Sequence, residues 1–214
     1  MVDPAEPGIN QMDWNRRAQR LAFFTVAYNL IEGLVSVIFG VREESVALAG
    51  FGIDSFIEVG SALVVLWRLR GGQDEDREPR ALRVIGGLFL LLALLTAIGS
   101  GLQLWRRSPP ETTVPGVVIS LASLSFMVWL WRAKREAGQA LGSPTILGDA
   151  ACSLACIKLS IVLLVGSLVY ALFPILWWSD SAAALLLCAL ISREGWEMLR
   201  GEGSCGCSQE EPIS

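Results

Sequence analysis

Histidine is absent from the 214 residues. Its absence removes the commonest neutral metal ligand and the usual switch near physiological pH. It also removes the usual general base, and no Ser/His or His/Asp pair is available to activate a nucleophile, so the chain reads as a non-enzyme. Charge is sparse: 18% of residues are Asp, Glu, Lys or Arg, against 53% hydrophobic, and the mean hydropathy is +0.52. That balance is too apolar for a soluble domain of this length, and no nucleic-acid partner is expected. Met1 to Asn10 are acidic and polar. They lack the basic start and early apolar core of a signal peptide, so the first apolar segment should be retained. Low-complexity tracts and internal repeats are also missing. Of five cysteines, Cys152, Cys156 and Cys188 fall in apolar segments, and Cys205 and Cys207 in a polar tail. None lies clearly on an oxidising side, so no disulfide is expected.

What is present is apolar length. Six stretches can each span a bilayer, which takes roughly 20 apolar residues: 21–41, 45–68, 82–105, 114–132, 145–170 and 175–195. The last two are split at Phe173-Pro174, where proline favours a turn. The fold expected is an all-α membrane protein with a lead-in over 1–20, a six-helix domain over 21–195 and a short tail over 196–214. Basic residues orient it. Arg16, Arg17, Arg20, Arg68, Arg70, Arg77, Arg80, Arg83, Arg132, Lys134, Arg135, Arg193 and Arg200 fall on one side, and Arg42, Arg106 and Arg107 on the other. Both termini are therefore expected in the cytoplasm, in a multi-pass cell (inner) membrane protein. The loop Gly71 to Arg77 reads as a solvated charged turn. Cys205-Gly206-Cys207 offers two thiols, too few to fill a tetrahedral metal site.

Within the spans the charged residues are Glu32, Asp54, Glu58, Asp149, Lys158 and Asp180. An ionised carboxylate in hydrocarbon is costly, so acids there line a cavity, meet a cation or stay protonated. Asp54 and Glu58 are one helical turn apart, on one face. They repel unless a cation or a proton separates them. Thr145, Asp149, Cys152 and Cys156 also share a face, offering oxygen and sulfur along one line. For both cysteines the competing reading is a small buried packing residue. Depth allows the two faces to meet. Glu58 lies about 18–20 Å from its outer end, and Cys152 and Cys156 about 12 and 18 Å from their inner end, within a core about 30 Å thick. Glu32 is a third-helix ligand, a proton acceptor or the partner of Lys158, which lies on the face opposite Asp149. Asp180 is either a cap at the start of the sixth helix or part of an exit path.

Carboxylates with a thiolate suit Zn²⁺ and its neighbours better than Mg²⁺ or Ca²⁺. Without the cysteines the site is harder and favours Mn²⁺ or Fe²⁺. Protons compete with metal for every ligand, which gives a physical basis for metal/proton exchange.

At these residues the chain resembles the cation diffusion facilitators. Ser45 to Glu58 looks like that family's second helix, in which a Ser-x-Ala-Leu-like run leads to two acids four residues apart. Asp149 matches the acid of the fifth helix. Trp178 to Ala184 and Arg193 to Glu197 resemble the sixth helix and its exit. The resemblance implies a homodimeric carrier of divalent metals, typically zinc, driven by proton exchange. It also implies a midmembrane site built from Asp54, Glu58, Asp149 and the residue four before it. That residue is Thr145, where the family often has histidine or aspartate, and Cys152 is our choice for the missing fourth ligand, with Thr145, Cys156 and Glu32 as further candidates. Glu58 is one methylene longer than the usual aspartate. No cytoplasmic metal-binding domain and no histidine-rich loop is expected, so the chain resembles the subgroup without that domain. No prosthetic group is implied, since the metal is cargo. Lys158, Glu32 and Asp180 are assigned to charge balance or a proton path. The rival reading is a non-transporting membrane sensor or partner subunit with a vestigial site.

Overall fold

The computed structural model describes residues 7–42, 46–71, 76–107 and 114–201, and within them the chain is helical. Six α-helices follow in order: α1 Pro7–Arg42, α2 Val46–Arg70, α3 Arg77–Arg106, α4 Val114–Leu141, α5 Pro144–Leu172 and α6 Ser179–Arg200. A short 3₁₀ turn, Pro174–Leu176, separates the last two, at the Phe173-Pro174 break read from the sequence. Four of these helices are long and apolar enough to cross a membrane: Gln11–Arg42, Gly50–Arg70, Arg77–Arg106 and Pro144–Tyr170. Gly72 to Glu75, the Ser108 to Thr113 loop and the Cys205-Gly206-Cys207 tail lie outside the described residues.

Two helices exceed their expected bounds in ways that matter. α1 is continuous from Pro7, so Trp14 sits on the same rod as the first span, which at 36 residues is about 54 Å long. α4 does not stop at 132 but runs to Leu141. No breaker interrupts it before Gly142, which takes φ +56°, a conformation glycine adopts without penalty. Ser143 then caps α5, its hydroxyl accepting from the Ile146 N–H at 3.4 Å, with Pro144 in the first turn, where a missing N–H costs nothing. The α4–α5 corner is therefore tight, and Lys134 belongs to α4, not to a loop after a span ending at 132.

α1, α2, α5 and α4 pack as a ring, each against the next, and α3 and α6 form a pair laid against α2 and α5. Neighbours within the ring run antiparallel. Arg17 of α1 bonds Glu136 of α4 at 2.7 Å, while farther along Tyr28 stacks on Phe126 with centroids 4.0 Å apart. Two seams need glycine. A Cβ on Gly52 would lie 2.9 Å from the Gly33 carbonyl oxygen, and one on Gly86 would lie 2.7 Å from that of Gly195. Small residues let membrane helices approach this closely.

The surface carries the membrane signature. Phe23, Ile31, Leu34, Ile38 and Val41 on α1, and Leu91, Leu94, Ile98 and Leu102 on α3, are exposed. Continuous apolar exposure of this kind calls for a lipid or protein partner. At one end of the bundle arginines cover tryptophans: Arg17 on Trp14, Arg77 on Trp67, Arg135 on Trp131 and Arg200 on Trp196, at 4.7 to 5.9 Å from the ring centroid. Amphipathic aromatics and arginines settle at the headgroup level.

Candidate functional site

The inner faces of α2 and α5 meet in three polar rungs. In antiparallel register, Asp54 faces Cys156, Glu58 faces Ser153, and Ser61 faces Asp149. The Cys156 thiol donates to Asp54 Oδ1 at 3.2 Å. The Ser153 hydroxyl donates to Glu58 Oε1. The Ser61 hydroxyl donates to Asp149 Oδ1 at 2.7 Å. Each helix contributes residues at i, i+3 or i+4 and i+7, the spacing that keeps side chains on one face.

Lys134 of α4 closes the Glu58 and Asp149 rungs. Its Nζ lies 3.0 Å from Asp149 Oδ2 and 3.6 Å from Glu58 Oε1, and it donates to Ser153 Oγ at 3.0 Å. Lys134 is 1% exposed, Asp149 1% and Glu58 0%. Buried charges persist only when paired and hydrogen-bonded. The second oxygen of Glu58, Oε2, is buried with no hydrogen-bond partner among the described residues.

The acids expected in one cage are thus distributed along a ladder. From Asp54 to Ser61, opposite Asp149, α2 rises about 10 Å. Among the described residues no three His, Cys, Asp or Glu side chains gather into a group ready to hold a metal. Cys152 is fully buried in the apolar cluster, its thiol facing that of Cys156. The sulfur that meets the Asp54 carboxylate belongs to Cys156. Thr145 lies elsewhere, in the first turn of α5. Its N–H donates to Glu78 Oε1 at 2.8 Å and its hydroxyl to the Glu78 carbonyl at 3.4 Å. The same Glu78 accepts from the Ser143 hydroxyl at 2.6 Å and pairs with Arg68, so one acid ties α2, α3 and α5 together there. The residue of α5 that stands against Glu58 is Ser153, four after Asp149.

Glu32 faces hydroxyls. Tyr28 and Ser55 each donate to it at 3.3 Å, with Ser123 of α4 beside it. It does not pair with Lys158, which is partly exposed and has no ion pair among the described residues. The cation that balances the buried acids is Lys134. Asp180 lies in the first turn of α6, and its side chain is outside the described set.

Lys134 was legible in principle. Leu130, Ala133, Lys134 and Ala137 are all buried and form an i, i+3, i+4, i+7 stripe, while Arg132, Arg135 and Glu136 point outward. The chain also carries fifteen arginines and two lysines, Lys134 and Lys158, so a lysine in an arginine-rich stretch stands out.

Long apolar helices enclosing buried, paired charges mark a multi-pass membrane protein. The cation efflux transmembrane domain matches residues 22–204, and the chain belongs to that family. It is accordingly a divalent-cation transporter by family, with metal as substrate and no prosthetic group indicated. Transmembrane protein 163 from Xenopus laevis is 25% identical over 192 residues, covering 87% of this chain and 68% of that protein.

Proposed function

We propose that the chain carries a divalent transition-metal ion, Zn²⁺ on ligand grounds, across the bilayer by alternating access in exchange for protons. One observation carries this reading: Glu58 is fully buried opposite α5 and next to Asp149, with a free carboxylate oxygen. Oxygens from Asp54, Glu58 and Asp149, with the thiol of Cys156 or Cys152 close by, make a mixed oxygen–sulfur donor set that suits Zn²⁺. Successive rungs give the ion successive positions along its path. A small sliding of α5 against α2 brings carboxylates of neighbouring rungs onto one ion, and protons take the ligands when the ion leaves.

The topology follows from the same reading. All six helices cross the membrane, and both termini lie in the cytoplasm, where the arginine-covered tryptophans meet the lipid headgroups. The membrane is the cell (inner) membrane. The carrier is a homodimer joined through membrane helices. Gly87, Gly99 and Gly101 of α3 face open space and leave room for close approach of a second copy.

A second reading is favoured by Lys134, which already neutralises the acids that a cargo ion would need: a non-transporting sensor or partner subunit with a vestigial site. Flux in proteoliposomes across a panel of divalent metals, with an imposed pH gradient, separates the two. The transporter reading expects zinc flux that follows the gradient and disappears in Asp54→Ala while the protein stays folded. Zinc binding with no gradient-dependent flux selects the second reading, and undiminished flux in Asp54→Ala removes the site assignment.

A further inference from the structure

Lys134 is a separate matter from the ligands, and it rests on its own geometry. Its ammonium lies 3.0 Å from Asp149 Oδ2 and from Ser153 Oγ and 3.6 Å from Glu58 Oε1. Zn²⁺ held by Glu58 and Asp149 needs their oxygens at about 2.0–2.2 Å, in the volume that Nζ now fills. Two cations cannot share it, since they clash and repel. The second pointer is Glu58 Oε2, an oxygen within this fully buried cluster that Lys134 leaves without a hydrogen bond.

We propose that Lys134 is a tethered counter-cation that occupies the cargo position between Glu58 and Asp149 in the empty carrier and is displaced when metal binds. This rests on the transport reading above. In the empty carrier the ammonium offsets one of these two buried carboxylates and an exchanged proton the other, so the return step drags no bare anion through lipid. Lysine suits the task better than arginine. A compact charge on a flexible stem can withdraw by side-chain rotation alone, whereas a guanidinium forks carboxylates in a fixed bidentate grip.

The test is radioactive zinc in proteoliposomes, measured as net uptake into a metal-free lumen and as exchange with a zinc-loaded lumen, beside equilibrium zinc binding. Lys134→Met removes the competitor. If the wild-type site is free about a tenth of the time, zinc binding tightens about tenfold. Exchange, which never requires the empty carrier to return, holds at the wild-type rate. Net uptake falls by about tenfold or more, because breaking a buried pair strands its acids. Lys134→Arg moves binding the other way, weakening it through the bidentate grip. A lysine that merely holds helices together predicts the opposite pattern, and would overturn the proposal: Lys134→Met losing binding and both fluxes equally, with Lys134→Arg close to wild type.

Wild-type protein gives a check independent of any variant's folding. The chain's amines are its N-terminus, Lys134 and Lys158. Saturating zinc should make Lys134 reactive towards a small neutral acylating reagent, read by mass spectrometry. Unchanged reactivity at saturation would overturn the displacement. Absent zinc flux in wild type would sink the transport reading instead, leaving the displacement to be judged on binding and labelling.

Discussion

The ring of α1, α2, α4 and α5 and the pair of α3 and α6 solve the same packing problem in opposite ways. Every buried charged residue among those described, Glu32, Glu58, Lys134 and Asp149, is in the ring. The pair contributes only Ser100 and Ser181 to the buried polar set of the described residues, and it closes backbone to backbone at Gly86 and Gly195. Charges in hydrocarbon are held by a few directional contacts, which can be exchanged for contacts to an ion. A glycine seam has no such contacts to exchange, and the ring has one as well, where α1 meets α2 at Gly33 and Gly52. On the transport reading proposed above, the contacts to be exchanged are those between α2 and α5, where the buried charges lie, and not the glycine seams.

The contrast can be broken first at its charged side. Asp149→Ala leaves the Lys134 ammonium with one distant carboxylate and should cost about 3–5 kcal/mol, the usual effect of breaking a buried pair. Ser100→Ala, a buried polar deletion in the pair, should stay within about 1.5 kcal/mol. Thermal unfolding of the two variants in one detergent compares them, and equal shifts would erase the distinction. Next in size is Gly195→Val. A Cβ there meets Phe89 Cβ at 2.8 Å and the Gly86 carbonyl oxygen at 2.9 Å, and forced overpacking costs about 1–3 kcal/mol. Zinc affinity should nevertheless be retained. A large loss of affinity would mean that the pair shapes the site.

Glu78→Ala is smaller. It removes the acceptor that Ser143 and Thr145 share, and loss of capping at a helix start costs about 0.5–2 kcal/mol. The melting temperature should fall while zinc binding survives, because the ladder lies farther along α5. Arg193→Ala comes last. Its partner Glu197 is on the same exposed face, 2.9 Å away, and such surface pairs contribute little. An unchanged melting temperature is expected.

How much of this was legible in sequence depends on which signal each part leaves. Apolar runs revealed the helices, and the proline after Phe173 marked their last break, because span length and helix breaking are local properties. The faces of α2 and α5 were legible too, since Asp54 with Glu58 and Asp149 with Cys152 and Cys156 obey helical spacing. Register between the helices was not. It depends on where two rods cross, and it set Ser153, not Thr145, against Glu58, and Cys156 against Asp54. Lys134 was missed because Arg132, Arg135 and Glu136 around it make a charged stretch that resembles a loop. The inward stripe of Leu130, Ala133 and Ala137 was the stronger signal. Glu78 left no trace, since a cap donated by a different helix has no pattern along the chain.

Equilibrium zinc binding to the purified wild-type protein and to Glu58→Gln tests the central claim most directly. The substitution keeps side-chain size and removes the one buried carboxylate that faces both α5 and Lys134. Affinity should fall about a hundredfold, close to 3 kcal/mol, in a variant that still runs as a folded membrane protein. Unchanged affinity in Glu58→Gln would contradict the account, because the ion would then be held somewhere other than between α2 and α5.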